Sequence, residues 1–143
     1  MKTLFKLFFL FAAVIIFSSC ATSGPKYVEL YSSIPVVPDT GRIFLYRESS
    51  LGAAIQPDVK INGEVVGSSI PYGFFYVNRS PGAYEIMTST EVDRKLSLTL
   101  DKGQTRFVRL NISMGFFAGH VYPELVDQAI GEKEIQECRY TGK

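Results

Sequence analysis

Between Tyr84 and Ser113 three separate runs alternate at every second position, and that period leaves each run little choice but to form a strand. Tyr84, Ile86 and Thr88 alternate with Glu85 and Met87. Leu96, Leu98 and Leu100 alternate with Lys95, Ser97, Thr99 and Asp101, and Val108, Leu110 and Ile112 with Arg109, Asn111 and Ser113. Successive side chains of a strand point to opposite faces, so each series puts its apolar members on one buried face and its polar members in water. A helix would scatter the same residues around its circumference.

The preceding segment extends the pattern. Arg42-Ile-Phe-Leu-Tyr-Arg47 is apolar on both faces, as a central strand between two layers requires. Val59 and Ile61 alternate with Asp58 and Lys60 and run into Asn62-Gly63, the strongest short signal for a hairpin, after which Glu64-Val65-Val66 returns. Gly73-Phe-Phe-Tyr-Val77 is a further dense strand, and Ser80-Pro81-Gly82 and Asp101-Lys102-Gly103 are turns. Six or seven strands with turns every 8–12 residues predict a mainly β fold, an antiparallel β-sandwich in preference to a small barrel. His120–Val126 is expected as an edge strand, because Pro123 cannot donate to an inner ladder. Asp127 is placed to cap a short C-terminal helix reaching about Cys138, interrupted or restarted at Gly131.

The start of the chain is different in kind. Residues 7–17, LFFLFAAVIIF, are unbrokenly apolar and follow Lys2 and Lys6. As a helix they would be roughly 17 Å long, well short of the ~30 Å hydrocarbon core of a bilayer. Residues 1–19 therefore read as a signal peptide with a helical apolar region. Phe17-Ser-Ser-Cys20 resembles the bacterial lipobox, with Phe17 where leucine is usual. That resemblance implies diacylglyceryl transfer to Cys20 and cleavage before it; ordinary cleavage near Ser23 is the competing reading. Two or three acyl chains make membrane attachment stable where one does not. Ala21, in place of aspartate, resembles the Gram-negative pattern for release to the outer membrane. The expected address is thus the cell envelope, lipid-anchored at the outer membrane and facing the periplasm.

Cleavage before Cys20 removes Lys2 and Lys6 and no acid, leaving 13 basic and 14 acidic residues. Nothing in that balance attracts nucleic acid or anionic headgroups. With Cys20 lipidated, Cys138 stands alone, either as a small buried apolar residue or as a thiol that pairs with another molecule. Residues 20–40 form the lipidated N-terminus and a connector containing Pro25, Pro35 and Pro38. Fully extended, about 20 residues span roughly 60 Å. Tyr27, Leu30, Tyr31 and Ile34 nevertheless fit one helical face, which predicts a short helix near 26–33 or an arm docked on the domain of residues 41–143.

The order Gly41-Arg-Ile-Phe-Leu-Tyr-Arg47, Asn62-Gly63…Val66-Gly67, Phe75-Tyr76-Val77, Pro81-Gly82 and Leu125-Val126-Asp127…Gly131 resembles an uncharacterised bacterial lipoprotein family, domain of unknown function 2846, over about residues 40–138. The Asn-Gly…Val-Gly…Pro-Gly arrangement also resembles the PEGA type of surface sandwich, which implies transthyretin-like or immunoglobulin-like layers. Neither resemblance carries a reaction or a catalytic residue.

No residue set stands out as catalytic, and no cofactor is implied. The single histidine, His120, has no Cys-x-x-Cys or His-Glu-x-x-His pattern around it, and no Gly-x-Ser-x-Gly elbow promotes any serine. Glu85, Glu91, Asp93 and Glu124 read as scattered surface acids, since a carboxylate pair needs a defined separation across a cleft. Two apolar loops draw more interest: Ile70-Pro-Tyr-Gly-Phe74, with Tyr72 and Phe74, and Met114-Gly-Phe-Phe-Ala-Gly119, with Phe116 and Phe117. Exposed, these rings form a partner surface; buried, they close the ends of the sandwich. The expectation is a non-catalytic binding or scaffolding module whose loops contact an envelope protein or a cell-wall glycan. The alternatives are a glycan- or peptidoglycan-binding module using Tyr72, Tyr76 or Phe116, and a small envelope hydrolase using His120.

Overall fold

The computed structural model describes residues 22–90, 92–115 and 119–142, so Cys20, Phe116 and Phe117 lie outside the described residues. The strands are β1 (Gly41–Tyr46), β2 (Asp58–Ile61), β3 (Glu64–Ser68), β4 (Gly73–Arg79), β5 (Gly82–Ser89), β6 (Asp93–Leu100), β7 (Thr105–Met114), β8 (Gly119–Val126) and β9 (Arg139–Tyr140). Two helices complete it: α1 (Tyr27–Leu30), continued by a 3-10 turn at Tyr31–Ser33, and α2 (Gln128–Glu134), continued by one at Ile135–Glu137. One sheet has the order β8-β7-β1-β4-β9 and the other β3-β2-β5-β6. No helix among the described residues is long and apolar enough to cross a membrane.

The two sheets bury their facing sides on each other. Ile43, Leu45, Phe75, Val108, Leu110 and Val121 from the first meet Val59, Ile61, Ile86, Leu98 and Leu100 from the second. Each of these is at most 6% exposed, and full burial of such a side chain contributes about 1.5–3 kcal/mol before entropy. The residues between them in the first sheet, Phe44, Tyr46, Phe74 and Phe107, point the other way into a second core. There Tyr27 and Ile34 from the N-terminal segment and Ile135 and Cys138 from the C-terminal one cover them. The molecule is therefore a sandwich with a helical layer on one sheet, and β1, β4 and β7 are buried on both faces.

Most neighbouring strands are antiparallel, as the turns dictate, but β1 pairs with β7 and β4 with β9 in parallel. These pairs join segments far apart in sequence, where no turn fixes direction. Asn62 and Gly63 adopt φ of 49° and 86°, the left-handed pair that a tight β2–β3 hairpin needs. Strand β8 pairs only with β7, and Pro123 stands opposite Leu110, so it is the edge strand its proline predicts. Helix α2 runs through Gly131 without a break: the Gly131 N–H donates to the Asp127 carbonyl. A Cβ at Gly131 would lie 2.4 Å from Phe107, so the glycine lets the helix approach the sheet. Asp127 occupies the N-cap position, but its side chain makes no capping hydrogen bond.

Candidate functional site: a groove on the open flank

The sheets are stacked so that β6 lies near β8 on one flank and β3 near β4 and β9 on the other. The first flank is closed. Thr88 of β5 is fully buried and donates 2.7 Å to the Val121 carbonyl of β8, tying one sheet to the other. A more open depression of about 450 Å³, lined by Arg94, Lys95, Ser113, Tyr122 and Pro123, lies on this side. The second flank opens into a deeper groove of about 500 Å³ between β3 and β4. Asp58, Glu64 and Arg79 stand at its rim, Val65 and Ser68 on one wall, and Thr141 on the other.

The groove exists because both walls are strand edges. Strand β3 pairs on one side only, with β2. The β4 edge is free for a different reason: β9 is two residues long and pairs only with Gly73 and Phe74. The Arg47 N–H donates to the Gly73 carbonyl, so in the antiparallel β1–β4 ladder the residues Gly73, Phe75, Val77 and Arg79 bond toward β1. Phe74, Tyr76 and Asn78 therefore direct their backbone groups outward. The Thr141 N–H donates to the Phe74 carbonyl at 2.8 Å, while beyond it Tyr76, which lines the groove, and Asn78, further along the same edge, have no paired strand on that side among the described residues. At the floor, Gly67 rests on Phe75. A Cβ there would come within 2.7 Å of the buried ring, so only glycine allows β3 this close.

One residue sets the geometry of this end of the sandwich, and sequence reasoning passed over it. Arg47 is 1% exposed and has no carboxylate among its hydrogen-bond partners. Its guanidinium instead donates to the carbonyls of Leu51 (2.5 Å), Gly52 (3.0 Å) and Ile55 (2.7 Å) on the β1–β2 crossover, and to that of Ser69 (3.0 Å) on the β3–β4 crossover. Burial lowers its pKa, but an arginine keeps its charge, and the ring of carbonyls replaces its water. The polar residue ending an apolar strand gives no local sign of this, because an arginine in that position ordinarily reaches solvent.

The residues singled out from sequence fall in different places. Tyr72 is exposed, at 46%, with a φ of 49° that bulky residues seldom adopt. It occupies the third position of the turn Ile70-Pro71-Tyr72-Gly73, closed by the Gly73 N–H on the Ile70 carbonyl at 3.0 Å, and its own carbonyl accepts from Arg139 of β9 at 2.8 Å. Phe74 is not a loop residue: it is fully buried in β4, edge-on to Tyr27 and Tyr140 in the second core, and cannot contact a partner. Tyr76 is covered by Phe44 and Tyr140, each 5.8 Å away, and by the Arg42 guanidinium at 5.1 Å. Phe116 and Phe117 are outside the described residues, as is Cys20.

The titratable groups make local ties. His120 Nδ1 lies 3.2 Å from Thr90 Oγ1, and its neighbour across the β7–β8 ladder is Ser113. Arg109 gathers Glu134 at 2.7 Å, Glu124 at 2.9 Å and Glu48 at 3.9 Å, while Tyr46 donates 2.5 Å to Glu134, so α2 is clamped onto the sheet. Burial and then the Glu134 hydrogen bond push the Tyr46 hydroxyl upward; the Arg109 hydrogen bond holds Glu124 below the ordinary carboxylate range. Burial raises Glu48. Cys138 is 1% exposed, donates to the Arg47 carbonyl, and is pushed up to about 12 by burial, which makes it a packed core residue and a poor nucleophile. No group of three His, Cys, Asp or Glu among the described residues is arranged to hold a metal ion.

Residues 38–121 match the family described as protein of unknown function (DUF2846). The chain belongs to this family. The matched span of the DUF2846 domain begins just before β1 and ends within β8, so it contains the β3 and β4 edges that flank the groove and both crossovers that Arg47 holds, and leaves out α1, α2 and β9 with the Thr141 part of the wall. An uncharacterised protein of Haemophilus influenzae is 28% identical over 141 residues, covering 95% of this chain and 84% of the relative.

Proposed function

We propose that this DUF2846 protein is a lipoprotein of the bacterial cell envelope, held by lipid on Cys20 at the outer membrane and facing the periplasm, where it binds a partner without catalysing a reaction. The observation that carries the binding reading is the open flank: a groove of about 500 Å³ walled by two free strand edges. An extended segment of an envelope protein is the natural occupant. Its main chain would bond Tyr76 and Asn78, and its alternate side chains would meet the Val65 wall and the Arg79 rim. The address rests on the apolar run 7–17 and the Phe17-Ser-Ser-Cys20 sequence.

Two measurements test this. Cys20→Ala should move the protein from the membrane fraction to the soluble one and remove the acyl mass; retention with an unaltered mass would defeat the address. Affinity capture from crosslinked envelopes should recover a partner with the wild-type protein and lose it with Ser68→Arg, which sets a long charged side chain at a half-buried position of the β3 wall. Capture unchanged by Ser68→Arg would remove the groove from the account. A second reading, glycan binding, is favoured by Tyr72 alone, whose unusual backbone conformation presents an exposed ring at the turn that ends the groove. Sedimentation with purified peptidoglycan, reduced in Tyr72→Ser, would support it.

A further inference from the structure

The connector predicted to span up to ~60 Å is mostly not a tether. The Tyr140 N–H donates to the Pro25 carbonyl at 2.9 Å, Arg139 Nη1 to the Gly24 carbonyl at 3.0 Å, and the Tyr27 N–H to the Cys138 carbonyl at 3.0 Å. Lys26 adds a 2.6 Å ion pair to Glu137 and a bridge beside Arg139, so residues 24–27 extend the sheet past β9. From Gly24 onward the chain is bolted to the domain. Gly24 is four positions from Cys20, and four steps of extended chain reach at most about 14 Å. A lipid on Cys20 cannot hold this domain at a distance; it holds it against the headgroups.

The segment that follows carries an unusual surface. Val28 (55% exposed), Tyr31 (49%), Val36 (89%) and Val37 (38%) are four large apolar side chains exposed within ten residues. Val28 and Tyr31 are three apart on the helical segment and share a side of it. Tyr31, Val36 and Val37 line one shallow depression of about 190 Å³. The four thus form one stripe on the outside of the helical layer, beginning eight residues after the anchor position. Burying the stripe in water-free surroundings is favourable, and the only such surroundings a four-residue leash guarantees is the bilayer interface, where valine and tyrosine partition well.

We infer that this stripe, Val28-Tyr31-Val36-Val37, lies on the lipid surface and fixes the orientation of the domain, with the helical layer toward the bilayer and the β3-β2-β5-β6 sheet away from it. The inference rests on lipidation at Cys20. The acyl chains supply the affinity, so the stripe contributes orientation; the near-neutral charge of the chain means that zwitterionic lipid suffices.

The chain has no tryptophan, so a single indole reports its own position. The full-length acylated protein is reconstituted in phosphatidylcholine vesicles, with or without lipids brominated near the headgroup. One sample carries Val36→Trp; the other carries Ser97→Trp on the outer face of β6, exposed on the opposite layer. Both sites are solvent-facing, so neither substitution disturbs the core. The expected result is loss of most of the Val36→Trp emission in brominated vesicles and none of the Ser97→Trp emission. Three results would overturn the inference. Equal, weak quenching at both positions on an acylated, vesicle-bound protein leaves the anchor intact and removes the stripe contact. A lipid-independent, concentration-dependent blue shift at Val36→Trp assigns the stripe to a second copy of the chain. Absence of acyl mass and of flotation with vesicles removes the anchor reading, and the contact falls with it.

Discussion

The two flanks of the sandwich are built from the same kinds of strand and end up opposite in character. Where β5 and β6 meet β8, a buried hydroxyl on a buried carbonyl, Thr88 on Val121, joins the sheets, and the edge strand carries Pro123. Where β3 faces β4, the tie is an exposed ion pair at the rim, Arg79 to Glu64 at 3.1 Å, and no buried hydrogen bond like that of Thr88 is found among the described residues: β9 stops after two residues, and the backbone of Tyr76 is left facing a groove. Free strand edges invite pairing with other chains, and proteins usually blunt them. The closed flank is blunted by proline and by contact; the open flank is kept at a defined width by Gly67 on Phe75 and by the crossovers that Arg47 ties together. A gap maintained by specific residues behaves as a site, whereas a gap left by poor packing would collapse.

That contrast can be broken from either side. The largest effect should come from Arg47→Met, which strips four carbonyls of their donor and unfastens both crossovers; charge-assisted hydrogen bonds of this kind are each worth about 1.5–3 kcal/mol when left unmade, so a loss of at least about 3 kcal/mol is expected in denaturant titration. Gly67→Val should cost about 1–3 kcal/mol by forcing β3 off the Phe75 ring, with a matching change in the near-ultraviolet aromatic signal. On the closed flank, Thr88→Val keeps the shape and orphans the Val121 carbonyl, for about 1–2 kcal/mol by thermal unfolding. Smallest of all should be Val65→Ser, within about 0.5 kcal/mol, since Val65 is 53% exposed and lines the groove without supporting the core. A large cost for Val65→Ser would mean that the open flank is packed after all.

How much of this the sequence disclosed depends on whether the signal was local. The alternation at Leu96, Leu98 and Leu100, the Asn62-Gly63 turn, the two-faced β1 and the Pro123 edge are properties of a few adjacent residues, and each appears in the fold. The reach of the N-terminal segment was half legible: the helical spacing of Tyr27 and Ile34 marked an apolar face, but only the fold shows it lying on Phe44 and Phe74 beside the C-terminal Ile135 and Cys138. The parallel β1–β7 pairing was not legible, because alternation states which face is buried and not which strand lies alongside. The groove was missed for the same reason. It arises from where β9 ends and which edge β3 presents, and its walls are ordinary strand residues. Phe74 was read both in the strand Gly73–Val77 and in the loop Ile70–Phe74; the strand reading holds, because the turn ends one residue earlier and β4 carries the ring inward.

Which flank a partner touches decides whether the groove is a binding site. Photo-crosslinking in living cells, with a benzophenone side chain placed at Val65 on the groove wall or at Tyr122 on the closed flank, reads this directly. The account predicts a discrete crosslinked species from Val65, absent from Tyr122 and suppressed by Ser68→Arg in the same chain. A species formed from Tyr122 and not from Val65 would contradict it.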